Sequence, residues 1–163
     1  MKLAFGLFLA SLPLSAQTPA PLVFAPSQIE DAYRVLLDRD APLLESINSV
    51  IQQKQVRDGE VLVTAGSVQE CTFHFVGSTA KTPMNVYKTV KGPYEILNAG
   101  GIIADGVPHI HITLSTNGSS VVGGHLENGC KVLYLAEITI FKYAGTPLTR
   151  KDNANGVSML QAK

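Results

Sequence analysis

The residues best able to do chemistry in this chain are its histidines, and three of the four fall within one short stretch: His109, His111 and His125. The first two lie in GVPHIHITLS, spaced i, i+2 in a run rich in β-branched residues. In a strand that spacing puts both imidazoles on one face. The third follows Gly123-Gly124, where missing side chains let backbone or ligand approach closely. Neutral imidazole suits zinc, and also copper, nickel or iron. Three such ligands with a fourth position left for water is the pattern of many catalytic zinc sites. The alternative is that each histidine is an ordinary hydrogen-bonded sheet residue. His74 stands apart in CTFHFV and reads first as such a sheet residue, and only second as a further ligand or a group orienting one.

A metal-bound water would need a base within reach. Glu95, Asp105, Glu127 and Glu137 are the candidates, and their spacing selects none of them. Glu95 is the oddest, a carboxylate among Tyr94, Ile96 and Leu97. Buried and partnered it is structural; facing a pocket it could be a base. Other chemistry is thin. There is no GxSxG elbow and no phosphate-binding loop with its Lys-Ser/Thr pair. Arg150-Lys151 reads as a solvated pair in the tail.

For the histidines to meet, their strands must be neighbours. Asn117-Gly118 between two strand-like runs is a hairpin signal that would make them so. Upstream, Ala32–Leu37 is the first strand candidate. Asp40 is placed as a helix N-cap, with Pro42 in the first turn. Leu43, Leu44, Ile47, Val50 and Ile51 then form one apolar stripe at helical spacing. After Asp58-Gly59 the period turns to strands: Val61–Thr64, Cys71–Val76, Val86–Val90, a turn at Gly92-Pro93, then Tyr94–Leu97 and Ile102–Ala104. Lys131–Tyr143 is the longest strand candidate, and the tail from Gly145 reads as loosely packed. One helix followed by many short strands indicates a single α+β domain with a mostly antiparallel sheet.

With 163 residues, 45% hydrophobic and 16% charged, the composition is that of one globular domain. A formal net charge of zero argues against a free-standing nucleic-acid binder. Residues 1–16 resemble a signal peptide: Lys2, an apolar run from Leu3 to Leu14, and small residues near Ala16. That run is short of the ~20 residues a membrane anchor needs. The expected organisation is therefore a signal peptide at 1–16, a linker at 17–31, a domain at 32–143 and its C-terminal segment at 144–163. The mature chain is expected in the periplasm or outside the cell, with no membrane span after cleavage. In such a compartment Cys71 and Cys130 are permitted a disulfide, although both could equally be buried small residues.

Taken together, GPYEIL (92–97), GVPHIHITLS (106–115) and VVGGHL (121–126), followed by Asn128-Gly129 and a long apolar strand, resemble the prokaryotic branch of the PPC (plants and prokaryotes conserved) domain family. The resemblance covers roughly residues 32 to 160. It implies an α+β domain around an antiparallel sheet, assembly as a homotrimer, and a metal, usually taken as zinc, at His109, His111 and His125. In plants the domain accompanies AT-hooks, and the segment matching GPYEIL contacts other proteins. Here Pro93 replaces the plant-type arginine and no Arg-Gly-Arg core occurs. The leading expectation is thus an exported trimeric module binding a metal or a small ligand. Rival expectations are a zinc-dependent enzyme using the same histidines and a DNA-binding, transcription-related protein.

Overall fold

The computed structural model describes residues 20–116 and 119–163. The expected signal peptide and the Asn117-Gly118 turn lie outside the described residues. Eight strands and one helix follow in the order β1 (Gln28–Asp38), α1 (Leu43–Gln53), β2 (Gly59–Val76), β3 (Asn85–Ala104), β4 (Val107–Thr116), β5 (Ser120–Leu126), β6 (Lys131–Ala144), β7 (Leu148–Asp152) and β8 (Ser158–Ala162). The first six strands form one antiparallel sheet in the order β1-β6-β2-β3-β4-β5. A further pairing of Phe73 and His74 on β2 with Leu126 and His125 on β5 closes β2, β3, β4 and β5 into a ring. β7 and β8 make a separate hairpin, with β7 against β3. Among the described residues no helix is long and apolar enough to cross a membrane.

The helical stripe lands as its spacing requires. Leu43, Ile47 and Ile51 are fully buried, Leu44 and Val50 half-buried, against a core that includes Val61, Val63, Phe73, Ile103, Ile110, Ile112, Leu114, Ile138 and Ile140. Burying each such side chain contributes about 1.5–3 kcal/mol. β4 alternates accordingly: Ile110, Ile112 and Leu114 face the core, so His109 and His111 face away from it.

Five details depart from the sequence expectation. β1 begins at Gln28, so the end of the expected linker is strand. Asp40 is not the N-cap: Pro42 holds that place with no side-chain cap. Asp40 instead turns the chain at φ 70°, its carboxylate accepting from Gln69 Nε2 at 2.7 Å and pairing with Lys131. β2 runs unbroken through Ala65-Gly66-Ser67, because the ladder absorbs its irregularities as bulges facing β6. β3 likewise runs through Gly92-Pro93: Gly92 takes φ 132° at a register shift rather than a reversal. The tail is an ordered hairpin whose turn Asn153 holds by accepting from the backbone N–H groups of Asn155 and Val157. Cys71 and Cys130, both without exposure, are joined in a disulfide that spans 59 residues of sequence.

Candidate metal centre

The ring closure decides where the histidines go. His125 on β5 is the register partner of His111 on β4 and, on its other side, of His74 on β2. Such close strand approach is possible only because position 124 lacks a side chain; a Cβ there would strike the His74 carbonyl oxygen. The glycine pair thus admits backbone, one of its two expected uses. His109 lies two residues along β4 from His111, opposite Ile102 of β3.

All four imidazoles consequently share one patch. The His125 ring centre is 4.6 Å from that of His109, 5.7 Å from that of His111 and 4.5 Å from that of His74, which it stacks against. His109 and His111 are 5.4 Å apart. Glu127, just past β5, joins them: its Oε1 lies 2.6 Å from His74 Nδ1 and 3.4 Å from His125 Nδ1. The Glu127 N–H donates to the Thr72 carbonyl at 3.1 Å, which fixes the carboxylate's root.

The tightest donor group among the described residues is His74, His125 and Glu127, whose ligand atoms lie within 4.8 Å of one another. This group shares His125 with the expected set. His109 and His111 stand beside His125 but outside that group, while His74, read first as a sheet residue, is inside it. Glu127 was one of four acids that spacing could not separate. Long-range pairing of β2 with β5 selects it, and no local pattern announces such a pairing. Glu95 is placed elsewhere. It is exposed, in register with Ser115, four residues along β4 from His111 and so about 13 Å from it. Asp105 is engaged by Arg57 and Lys163, and Glu137 is exposed on β6.

The electrostatics favour the neutral form of His109 and His125. Burial holds the His109 pKa down at about 4, and the Arg150 guanidinium and neighbouring imidazoles push it the same way. His125 is also lowered, first by burial and then by His74, with Glu127 opposing. Neutral rings keep a lone pair free to ligate. The His125 Nδ1 is buried and makes no aligned hydrogen bond; its 3.4 Å approach to Glu127 is proximity only. An unsatisfied buried nitrogen among imidazoles and a carboxylate is the donor chemistry that zinc takes. The cluster opens into a cavity of about 460 Å³, lined also by Phe75, Val76, Pro83, Asn85 and the Gly156–Ser158 segment.

A closed antiparallel ring carrying a histidine cluster on its outer face defines the class of fold. The family follows from the sequence itself: residues 25–144 match the Plants and Prokaryotes Conserved (PCC) domain, also written PPC, and the chain belongs to that family. Solved structures share the fold. A metal-containing protein of Archaeoglobus fulgidus superposes with TM-score 0.75 at 20% identity, over 86% of this chain and 99% of the other. A PPC protein of Pyrococcus horikoshii gives 0.72 at 22% identity, over 86% and 97%. A protein of Bacteroides thetaiotaomicron, provisionally described as DNA-binding, gives 0.72 at 23% identity, over 82% and 94%. Comparison with curated proteins returns no match.

Proposed function

We propose that this protein is an exported, trimeric PPC-domain module that binds a divalent transition metal, zinc before others, at the histidine cluster. The observation that carries this reading is the meeting of imidazoles from β2, β4 and β5 along one open cavity, with the Glu127 carboxylate held against His74. Around a tetrahedral zinc with Zn–N of ~2.0–2.1 Å, ring centres stand about 5 Å apart. The separations among His109, His111 and His125, 5.4, 4.6 and 5.7 Å, bracket that value. The χ2 wells of histidine are broad, so modest ring rotation could aim these nitrogens at one point. Glu127, 2.6 Å from His74 Nδ1, would then fix the imidazole stacked on His125, as carboxylates do for histidines at metal sites. His125 belongs to both candidate donor sets.

The metal would supply Lewis acidity and a bound water of lowered pKa. The open cavity keeps a second reading in play, a zinc-dependent enzyme using the same histidines, with Glu127, the acid beside the cluster, a nearer candidate for a base than Glu95. DNA binding is not part of the proposal, since the net charge is zero. The disulfide supports an oxidising compartment.

Elemental analysis of the mature protein after metal-replete expression tests the reading. Stoichiometric metal in the native protein and background metal in His125→Ala are expected; traces alone in the native protein overturn it. His109→Ala and Glu127→Gln then identify the donor set. Native mass spectrometry checks the trimer, and the N-terminal residue of the exported protein checks cleavage.

A further inference from the structure

The cavity over the histidines is walled by more than the ring. Gly156, Val157 and Ser158 come from the β7–β8 hairpin, which lies beyond the family match at residues 25–144. That hairpin also carries Arg150. Its register partner is Leu160, two residues along β8 from Ser158, so Arg150 and Ser158 project from the same face. The Arg150 side chain is half-buried, and its Nε is buried without a hydrogen-bond partner. Asp152 shares that face, yet no ion pair joins the two, and no other described carboxylate pairs with Arg150. A guanidinium stays charged at any physiological pH, and a buried donor left unmade is costly.

The charge balance points one way. A dication held on imidazoles is offset by Glu127 and by Asp152, which lies opposite Ser158 on the hairpin face, and Arg150 returns one of those two charges. The site then keeps a net charge of about one positive unit, and an anionic ligand is favoured. The walls add a second preference: Phe75, Val76, Pro83 and Val157 are apolar, while Asn85 and Ser158 offer hydrogen bonds. The cavity suits a small molecule.

We propose that the site takes a small organic carboxylate with an apolar body, its carboxylate directed to the metal and drawn in by Arg150, its body against the Phe75–Val157 walls. This deepens the metal-binding reading and rests on it. Arg150 would determine which ligand is chosen, not whether the metal stays.

The experiment uses cobalt-loaded protein and benzoate as probe. Cobalt content reads the metal; the visible d–d bands and calorimetry read benzoate binding. The native protein is expected to hold cobalt and shift its bands on benzoate addition. Arg150→Gln should hold the same cobalt and bind benzoate at least tenfold more weakly. Arg150→Lys, which keeps the charge but not the fork, should fall between. Full cobalt with no benzoate response, or Arg150→Gln binding as tightly as native, overturns the carboxylate proposal and leaves the metal reading standing. Tighter binding of inorganic phosphate than of benzoate also overturns the choice of carboxylate. Absence of cobalt from the native protein overturns both.

Discussion

The two faces of the β-ring are built on opposite terms. On the inner face, Leu43, Ile47 and Ile51 of α1 meet strands whose inward side chains are almost wholly aliphatic, and the packing is closed. On the outer face, four imidazoles and a carboxylate stand partly or fully exposed, one nitrogen without a partner, under an open cavity. The inner face draws stability from burial. The outer face forgoes part of that stability, because polar groups removed from water recover it only when each finds a partner. The difference teaches where to look for ligand chemistry: polar atoms left unsatisfied beside a well-satisfied core mark the face that awaits a ligand.

Four experiments can break or sharpen this contrast. The largest expected effect is at the core. Ile47→Ala should cost about 2–5 kcal/mol and lower the melting temperature by roughly 10 °C, with metal per folded chain unchanged by elemental analysis. If metal is lost in proportion, the two faces are not separable. Replacing both cysteines with serine should cost about 2–4 kcal/mol of unfolding free energy in urea, since the cross-link restricts a long loop of the unfolded chain. Glu127→Gln should weaken zinc binding about 10–100-fold in a competitive chelator titration if it orients His125. Complete loss would instead place Glu127 among the ligands.

The smallest effect concerns pH in the metal-free protein. His109 has a folded pKa of about 4, below the ordinary histidine value of 6.5. The unfolded chain therefore takes up the proton first as pH falls. The stability tied to neutral His109 is complete above the unfolded value and is lost progressively between pH 6.5 and 4. Urea midpoints across that window should decline in the native protein and decline less in His109→Gln.

Much of this was legible in the sequence where the signal was local. The stripe Leu43–Ile51 announces its helix because a 3.6 period needs no distant partner. His109 and His111 share a face by spacing alone. What stayed hidden depended on distant pairing. His74 and Glu127 are 53 residues apart, and only the β2–β5 contact brings them to 2.6 Å. Gly92-Pro93 carries turn chemistry, but β3 takes up its extra residue as a bulge opposite Gln69 of β2 and continues. Asp40 has the right chemistry for a cap, yet Gln69 and Lys131 draw its carboxylate sideways. The tail looked loose because its strands are short and polar; Asn153 supplies the turn that orders them.

The connection from β5 to β6 is held at three points. The Glu127 N–H donates to Thr72, the Gly129 N–H donates to the Glu45 carboxylate of α1, and Cys130 is bonded to Cys71. Residues 71 and 72 precede His74 by only two or three positions. Anyone wishing to transplant this centre onto another β-scaffold would therefore have to carry more than histidines. The smallest portable unit is the β4–β5 hairpin, the segment from Cys71 to His74 and the connection from Glu127 to Cys130. A graft of imidazoles alone would arrive without the parts that aim them.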